Sequence, residues 1–524
     1  MKRMLCILLT LCMTVCSIAV GIPAGAQAPE PLYEEHLTIT ATSLDIEEGY
    51  DFHQDPLMQF FEEKFNVTIE LIPMSWANYI DRNRIWISSG DMPDMTFWDF
   101  NYSDYASYVE QGLIAKMPAD LNDRYPHLAE ALRLTQIADY CAEKMDGELY
   151  MIPKVTFYEM PADVITNHLS VYYRKDWAKA LGYNFDMSIS RAELDQFIAD
   201  CKQMDPGGNG AGNTLGMVSE TSKLLPVYLS SVYPYYDVFF NDGEAYVWGP
   251  AQEGTLEALK RFKAAYDAGT FYKDFFTASA PSDYQHLFNA GLSGAMLYDA
   301  AFGRVWNVSK EFAKASGRKA EECIGLAVLT DDEGVYHGKE VTNFWSATLF
   351  NPDIPAEKLD RILAIMDYTC RPEVQDLINL GFEGTDYVVR ADGTKEITRE
   401  QDAEGNYVAL VDKYKSFFYW AWLAILWDNY DQNNPSIPSW STDLVAEAYQ
   451  LKAQGTDIAR IDFALQTFSG PYYDKAKSLD LSAELCELIL MDGDIESNWR
   501  KWVDSKMSII KPTLEELNGA LLGK

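Results

Sequence analysis

The residues best suited to ligand chemistry stand where a short predicted strand ends. Trp98, Asp99, Asn101 and Tyr102 follow a turn at Gly90 and Pro93, where a helix stops and a buried strand begins. In open α/β sheets the carboxyl ends of strands face the ligand crevice, so these side chains would lie at its edge. An indole beside amide and phenol groups can bind a polar molecule with flat apolar faces, such as a sugar. The other interpretation is that Trp98 only caps the hydrophobic core, as aromatic side chains at strand ends often do.

Further aromatic side chains stand beside polar groups in predicted loops of a chain that has 13 Trp, 32 Tyr and 25 Phe. Sugar rings are recognised by CH faces stacked on aromatic rings, while Asp, Glu, Asn and Arg bind the hydroxyls, because each desolvated hydroxyl needs a partner. The candidates are Trp76, Tyr235, Tyr236, Trp306 beside Arg304, Trp345, Tyr387, Trp420, Trp422 and Trp427. We expect most of them to be structural and a minority to contact ligand.

Catalytic templates mostly fail in this sequence. It has no HExxH, no Walker loop and no GxSxG, and the glycine-rich run at residues 207–216 lacks the GxGxxG spacing. The six histidines are scattered without metal-ligand spacing. A glycosidase-like pair of carboxylates stays open in a chain with 79 acidic residues, although nothing singles one out.

Residues 205–213 resemble a calcium-binding loop. Asp205, Asn209 and Asn213 stand at positions 1, 5 and 9, with a glycine at position 6. An acid is missing at position 3, and Gly216 stands where the closing glutamate would be, which leaves one carboxylate for a doubly charged ion. Structural calcium is therefore the weaker interpretation and a plain polar turn the stronger.

The elements that would position these residues alternate between strand and helix. Leu37, Ile39 and Ala41 alternate with threonines, a helix follows at residues 56–65, and a second alternating strand begins at Val67. The next helix returns to the strand at residue 95, so the pattern predicts a parallel sheet with helices on its faces. A second α/β unit follows from about residue 170.

Length and charge bound the class of protein. The 524 residues exceed what one hydrophobic core usually serves, so two lobes are expected. Residues 1–26 have the basic, apolar and small-residue pattern of a secretory signal peptide, and Cys16 follows Val15 where a lipid anchor would need a small residue. Cleavage removes Lys2 and Arg3 from 43 basic residues, leaving 79 acidic against 41 basic and a net charge of −38. This charge argues against nucleic acid or an anionic membrane as a partner.

Several motifs, taken in order, resemble the extracellular solute-binding proteins of ABC sugar importers, such as maltose-binding proteins. Residues 90–98 with 111–115 resemble the first-lobe segment whose Trp stacks on sugar, and residues 172–177 with Leu181 and Gly182 resemble the crossing strand and its helix. Residues 291–296 resemble the strand that precedes sugar-contacting residues. Residues 377–387 resemble a signature of the large, roughly 500-residue branch of this family.

The resemblance implies an α/β fold of the periplasmic-binding type II class, with a ligand cleft between two lobes. Each lobe is expected to be a mainly parallel sheet flanked by helices, with three hinge crossings. We expect residues 36–172 and 344–390 to form the N-terminal lobe, and residues 173–343 and 391–524 the C-terminal lobe. The implied ligand-binding residues are Trp98, Asn101, Tyr102, Tyr298, Asp299, Arg304, Trp306, Trp345, Glu383 and Tyr387.

The function implied is that of a non-catalytic receptor, exported and monomeric. It would capture an oligosaccharide or a related polar solute without a cofactor, unless the loop of Asp205, Asn209 and Asn213 holds calcium, and present it to the permease subunits of an ABC transporter. Two alternatives stay open. One is a secreted carbohydrate-active enzyme, a glycosidase or lyase, and the other is a surface scaffold with no small ligand. Glycan turnover would indicate the enzyme, and binding without products the receptor.

Overall fold

The computed structural model describes residues 33–278, 280–402, 405–423 and 427–524, so the predicted signal peptide at residues 1–26 lies outside the described residues. The strands are β1 (Leu37–Leu44), β2 (Val67–Met74), β3 (Met95–Asp99), β4 (Ile152–Val155), β5 (Leu169–Arg174), β6 (Ser188–Ser190), β7 (Phe239–Asn241), β8 (Tyr246–Trp248), β9 (Ala295–Asp299), β10 (Ile324–Thr330), β11 (His337–Lys339), β12 (Phe344–Phe350), β13 (Tyr387–Val389), β14 (Lys395–Ile397) and β15 (Asp457–Ala459).

Helices cover both sheets. The helices are α1 (Pro56–Phe65), α2 (Tyr79–Ser89), α3 (Tyr102–Glu110), α4 (Leu121–Arg124), α5 (Pro126–Leu132), α6 (Ile137–Lys144), α7 (Lys175–Leu181), α8 (Arg191–Met204), α9 (Thr221–Ser230), α10 (Glu253–Ala268), α11 (Gln285–Asn289), α12 (Phe302–Ser316), α13 (Ala320–Cys323), α14 (Ala356–Thr369), α15 (Pro372–Leu380), α16 (Leu410–Lys413), α17 (Phe417–Leu423), α18 (Trp427–Gln432), α19 (Ser439–Ala453), α20 (Phe463–Gln466), α21 (Pro471–Lys477), α22 (Leu481–Leu490) and α23 (Ile495–Leu522). In the described part of the chain, each helix is too short or too polar to cross a membrane.

The first sheet has the strand order β2-β1-β3-β12-β4 and defines the first lobe. β1 runs parallel to β2 and β3, which confirms the predicted βαβ unit, and β12 runs antiparallel to β3 and β4. Helix α1 forms where Pro56 fixes the first turn and Asp55 accepts the backbone N–H groups of Leu57 and Met58. Asn66 ends the helix in the left-handed conformation, and β2 follows at once.

The second sheet has the order β6-β10-β5-β9 and defines the second lobe. β5 runs antiparallel to both β9 and β10, while β6 and β10 are parallel. Both sheets are therefore mixed, where the sequence predicted mainly parallel ones, and in the first sheet the antiparallel pairings are those of β12. In the second sheet, the reason is that β5 carries the chain from the first lobe into the second. It runs antiparallel to β9 and β10, which come later in the sequence.

Apolar side chains on both faces of each sheet form the cores. In the first lobe, Phe61, Leu363 and Trp420 pack on one face, and Trp98 and Tyr105 on the other. In the second lobe, the two faces are covered by clusters that include Phe197 with Phe262 and Phe302 with Phe312. Burial of these large aromatic and aliphatic surfaces is the main term that favours the folded state.

Two segments lie elsewhere than the predicted lobe boundaries place them. All of β5, including residues 169–172, pairs within the second sheet. Residues 410–423 pack in the first lobe, where Trp420 stacks on Phe61 at 3.7 Å between ring centroids and Ser416 donates to Asp55 at 2.9 Å. The boundary of the C-terminal lobe at residue 391 is therefore wrong for this segment, because its aromatic side chains complete the core around α1.

The chain passes between the sheets after β4, after β10 and after α17. The first two crossings run side by side, since Thr166 pairs with Glu340 in antiparallel fashion. Asn343 locks them together, because its side chain accepts from the Phe157 N–H at 2.8 Å and donates to the Phe157 carbonyl at 2.6 Å. Paired extended segments of this kind are suited to act as a hinge between two lobes.

Candidate ligand-binding cleft

The carboxyl ends of strands from the two sheets face each other across a cleft. In the first lobe, Asp45 follows β1, Trp76 lies two residues after β2, and Asp99 ends β3. In the second lobe, Asp299 ends β9 and Arg304 lies in the first turn of α12. The two edges are close enough for the positive charge of Arg304 to act on the pKa of Asp45. This is where open α/β sheets bind ligands.

Three indoles form an aromatic surface on the first lobe, and we call Trp76, Trp345 and Trp422 the tryptophan cluster. The ring centroids of Trp76 and Trp345 lie 6.3 Å apart with an interplanar angle of 28°, and Trp422 lies 5.5 Å from Trp76 and 5.8 Å from Trp345. Phe97 supports the cluster from below. Trp76 is 48% and Trp345 43% exposed, which is unusual for indoles and leaves faces free for a ring-shaped ligand.

Carboxylates lie beside the tryptophan cluster. Asp45 accepts a hydrogen bond from Trp76 Nε1 at 2.9 Å and has a left-handed backbone, with φ of 59°. Asp99 accepts the hydroxyl of Tyr79 on one oxygen, while its Oδ1 is buried and has no hydrogen-bond partner within the described part of the chain. A buried oxygen without a donor is costly, so Asp99 is poised to accept from a ligand hydroxyl. Burial raises the pKa of both carboxyls, against their hydrogen bonds.

A buried lysine fixes one wall of the tryptophan cluster. Lys154, in β4, places Nζ 4.2 Å from the centroid of Trp422 and donates to the carbonyl of Ala421 at 3.1 Å. The ammonium thus holds the last turn of α17 and contacts an indole face. Sequence reasoning missed Lys154, because residues from β4 and α17 meet only in the folded chain.

The second lobe contributes a charged group at the end of β9. Asp299 Oδ1 accepts the backbone N–H of Ala301 at 2.9 Å, His168 Nε2 lies 3.6 Å from the same oxygen, and Arg304 Nε lies 3.6 Å from Oδ2. The Arg304 side chain is 47% exposed and that of Asp299 is 22% exposed. Both residues were predicted, and the structure brings them together with an acceptor and donors that suit hydroxyl groups.

A second polar group lies next to β9. Val218 pairs in parallel with Met296, so the segment after Val218 reaches the same sheet edge as Asp299. Glu220 there contacts Lys223 at 2.6 Å, and Tyr284 has a buried hydroxyl with no hydrogen-bond partner among the described residues. Sequence reasoning missed this group. Its signal was of the same kind as that of Asp99, because polar residues directly follow an apolar run that ends at Val218.

Trp98 and Tyr102 are buried, whereas Asn101 is exposed and its side-chain oxygen serves as a helix cap. Trp98 is 5% exposed and packs against Phe100 and Tyr108, which matches the core-capping interpretation. Successive side chains of a strand point to opposite faces of the sheet. Because Phe97 faces the tryptophan cluster, Trp98 must point to the other face. Tyr102 is buried, and Asn101 caps α3 by accepting the N–H of Asp104 at 3.1 Å.

Four other predicted residues lie apart from the cleft surface. Tyr298 is buried behind Asp299, and Trp306 lies against Trp440, 6.4 Å between centroids, because it points away from Arg304 on α12. Glu383 is exposed in a turn, and Tyr387 is buried beside Leu380 and Ile397.

The turn of Glu383 and Tyr387 is structural. Asp386 is fully buried there and accepts the Phe382 N–H at 2.7 Å and the Tyr414 hydroxyl at 2.6 Å. A Cβ atom at Gly381 would collide with the Asp386 side chain, so the glycine permits the turn to close. The predicted signature at residues 377–387 therefore stabilises the first lobe.

The loop predicted as a calcium site is closed by its own hydrogen bonds. Asp205 accepts from the backbone N–H groups of Asn209 and Gly210 and from the Thr214 hydroxyl, at 3.0, 2.8 and 2.9 Å. These backbone donors lower the pKa of Asp205. Asn213 donates its amide to the carbonyl of Asn209 at 2.9 Å. A Cβ atom at Gly216 would lie 2.5 Å from the backbone of Phe271, so no side chain could complete the ligand set from that position.

The donor set of Asp205, Asn209 and Asn213 therefore does not fit calcium. One carboxylate is available for a doubly charged ion, and both its oxygens are already used. Within residues 33–278, 280–402, 405–423 and 427–524, no group of three or more His, Cys, Asp or Glu is placed to hold a metal ion.

Comparison with known proteins identifies the fold and the family. The sequence profile of the family described as bacterial extracellular solute-binding protein matches residues 57–345. Lipoprotein LipO of Bacillus subtilis (strain 168) is 22% identical over 465 residues, covering 85% of this chain and 84% of that protein.

Two solved structures share the fold over nearly their whole length. The alginate-binding protein AlgQ2, in a crystal structure without calcium ion, has a TM-score of 0.62 and 16% identity, covering 93% of this chain and 98% of that one. The Streptococcus pneumoniae ABC-transporter substrate-binding protein FusA, in complex with kestose, has a TM-score of 0.59 and 16% identity, covering 91% and 99%. Since the profile spans more than half of the sequence, the chain belongs to the bacterial extracellular solute-binding protein family.

Proposed function

We propose that this protein captures an oligosaccharide in the cleft between its lobes and delivers it to the permease of an ABC transporter. The observation that carries the proposal is the tryptophan cluster, whose exposed indoles lie beside carboxylates of the first lobe and across from Asp299 and Arg304 of the second. Indole faces suit the CH faces of sugar rings, and the charged groups suit their hydroxyls.

Capture works through closure of the lobes. A sugar stacked on Trp345 can also bind Arg304 and Asp299 only when the lobes approach, so the ligand has extra contacts in the closed state. A ligand shifts a conformational equilibrium by its differential affinity for the two states. The paired crossings at Thr166 and Glu340 are the segments about which such closure would turn.

Binding without chemistry is supported by the family, which is described as bacterial extracellular solute-binding protein. The acids of the cleft are compatible with either function, because burial raises the pKa of Asp45 and Asp99 and Asp99 Oδ1 has no partner among the described residues. The alternative of a secreted carbohydrate-active enzyme is therefore separated from the receptor by the turnover test below.

Two relatives support the proposal that the ligand is a sugar and that the protein serves a transporter. FusA is an ABC-transporter substrate-binding protein solved in complex with kestose, and AlgQ2 is an alginate-binding protein. We propose by analogy that the chain is exported, cleaved after Ala26, and acts outside the cytoplasm as a monomer. LipO is a lipoprotein by name, whereas Val15 before Cys16 disfavours a lipid anchor here.

A glycan panel tests the proposal. The purified protein is incubated with oligosaccharides of different linkage, the melting temperature is recorded, and the glycans are then examined for cleavage. A stoichiometric stabilisation with intact glycans is the expected result, because a ligand that binds only the native state raises its stability. Cleavage products would instead identify an enzyme, and the absence of any stabilisation would favour a scaffold.

A matched pair of variants locates the site. Trp345→Ala removes an exposed indole of the tryptophan cluster, and Tyr472→Ala removes a 51% exposed aromatic ring from α21. We expect the first variant to weaken sugar binding and the second to leave it unchanged. If both substitutions changed sugar binding equally, the result would contradict the assignment of the binding site to the cleft.

A further inference from the structure

Two carboxylates of the first lobe, Asp45 and Asp99, stand at the ends of neighbouring strands, and we call them the acid pair. Ala41 of β1 pairs with Met95 of β3 in parallel register, so the two acids, each four residues further on, lie at the same level of the sheet. Neighbouring strands lie about 4.8 Å apart. Asp99 also shares the face of β3 on which Phe97 contacts the tryptophan cluster, because side chains two residues apart point to the same side. The acid pair therefore adjoins the indoles.

The hydrogen bonds to the acid pair come from neutral groups. Trp76 Nε1 donates to Asp45 at 2.9 Å, and the Tyr79 hydroxyl donates to Asp99. Within the described residues, neither carboxylate forms an ion pair with a basic side chain. Burial raises the pKa of both carboxyls, and for Asp45 it outweighs the opposite effect of Arg304 across the cleft. The described part of the first lobe thus holds two adjacent negative charges without a cation of its own beside them.

The acids of the second lobe are held differently. Arg304 Nε lies 3.6 Å from Asp299 Oδ2, and Lys223 Nζ lies 2.6 Å from Glu220. Each of these carboxylates therefore has a basic side chain beside it. A cation in the ligand would give the acid pair the same kind of partner, and buried charges are stable when they are paired.

Indole faces add to the attraction for a cation, because the face of an aromatic ring is negative. Trp76 is 48% and Trp345 43% exposed, so both have faces that a ligand can reach. The tryptophan cluster already holds one ammonium, since Lys154 Nζ lies 4.2 Å from the centroid of Trp422. That lysine donates to the Ala421 carbonyl from β4, which β12 separates from β3 and the acid pair. A second ammonium, from a ligand, would meet indole faces and carboxylates together.

We infer that the cleft selects glycans that carry a protonated amino group, bound between the acid pair and the exposed indoles, over neutral glycans and over glycans that carry carboxylates. This inference rests on the proposed function and names its substrate class. A neutral sugar donates hydroxyl groups to the acid pair but leaves both negative charges unpaired. An unacetylated amino sugar supplies the donor and the opposite charge in one group, and such charged hydrogen bonds are the stronger ones. An oligouronate brings a like charge to the acid pair, which opposes binding.

Glycans that differ in one substituent test the inference on the unaltered protein. Cellulose, chitosan and chitin oligosaccharides of equal length share one linkage and carry a hydroxyl, an amine or an acetamide at the same ring position. They are titrated by calorimetry beside an oligouronate, and every neutral glycan that binds in the panel is titrated together with its amino form. We expect an amino form to bind at least about tenfold more tightly than its hydroxyl and acetamide forms, and the oligouronate to bind most weakly.

Two negative results of these titrations are distinct. Neutral or acidic glycans that bind as tightly as the amino forms would overturn the inference and leave the proposed function in place. If no glycan of any kind binds, the proposed function itself fails.

Matched variants locate the selectivity. Asp45→Asn and Asp99→Asn each remove one negative charge and keep an acceptor oxygen for Trp76 or Tyr79, whereas Asp91→Asn removes the same charge from an exposed position of the first lobe. We expect the advantage of the amino form over the hydroxyl form to fall at least about threefold in each acid-pair variant and to stay unchanged in the control. Equal losses for the two forms would contradict the acid pair as the site of the amino group.

Discussion

Trp76 and Trp345 stack at an angle of 28° with their ring centroids 6.3 Å apart, although one follows β2 and the other lies in β12. Two strands separate β2 from β12 in the first sheet, so the loop after β2 has to reach over the strand ends to bring the indoles together. Asp45 holds Trp76 in that position through a hydrogen bond. The pair thus forms a fixed aromatic platform at the edge of the cleft.

Asp99→Asn tests the polar side of the platform. The substitution replaces an acceptor oxygen that has no donor among the residues that the structure describes, while the Tyr79 hydroxyl can still donate to the remaining oxygen. We expect sugar affinity to fall by about 1 to 3 kcal/mol, because a buried ligand hydroxyl would lose its acceptor. Calorimetric titration measures this, with Asp91→Asn as the exposed control. Unchanged affinity would show that Asp99 faces no ligand.

Trp98→Ala is predicted to affect folding. Trp98 is 5% exposed in the core of the first lobe, so truncation leaves a cavity that costs about 3 to 5 kcal/mol in the free energy of unfolding. Urea denaturation measures this cost. A variant with wild-type stability and weakened sugar binding would contradict this prediction and indicate that Trp98 contacts the sugar in the cleft.

Lys452 is predicted to make stability depend on pH. It is fully buried in α19 and donates to the carbonyls of Asn167 and Leu169, at 2.9 and 2.7 Å. Burial lowers its pKa to about 7, against the charge of Asp299. Above that pH the folded state has released a proton that the unfolded state keeps up to the ordinary value of 10.5, so stability should rise with pH across this window.

Thermal melting between pH 6.5 and pH 9 tests this prediction, with Lys452→Met as the comparison. The methionine keeps the apolar stem of the side chain and has no proton to release. We expect the difference in melting temperature between wild type and variant to grow in favour of wild type as the pH rises. A difference that stays constant with pH would exclude Lys452 as the titrating group.

Calcium is predicted to leave the protein unaffected. Asp205 uses both carboxylate oxygens in hydrogen bonds within its loop, so the loop is closed without an ion. The melting temperature should be the same in a calcium buffer and after treatment with a chelator, because an ion that does not bind the native state cannot stabilise it. A lower melting temperature after chelation would show that the loop rearranges around calcium.

The parts of the fold that were predictable from sequence are those set by local signals. Pro56 after Asp55 marks the start of α1, and alternating aliphatic residues mark β1 and β2, all of which the structure confirms. The mixed second sheet was not predictable, since the direction of β5 depends on its entry from the other lobe. Residues 410–423 were misplaced because their packing around Phe61 is a long-range contact.

The candidate site was predictable only in part. The resemblance led to Asp299 and Arg304, which the structure brings together at the end of β9, and the aromatic pattern led to Trp345, whose indole is exposed in the tryptophan cluster. Strand-end reasoning led to Trp98, whose side chain is buried on the face of β3 opposite to Phe97. Which face of a strand looks to the cleft depends on the register with β12, and a shift of one residue reverses it. Lys154 and Trp422 come from distant elements, so no local pattern marks them as partners.

The most direct test of the account is the sugar affinity of the double variant Trp76→Ala with Trp345→Ala. Calorimetric titration is carried out with the oligosaccharide that stabilises the wild-type protein, and denaturation confirms that the variant is folded. Loss of the stacked platform should cost about 2 kcal/mol or more, which is roughly thirtyfold in the dissociation constant. A folded double variant that binds the sugar as tightly as the wild type would contradict the claim that the tryptophan cluster receives the ligand.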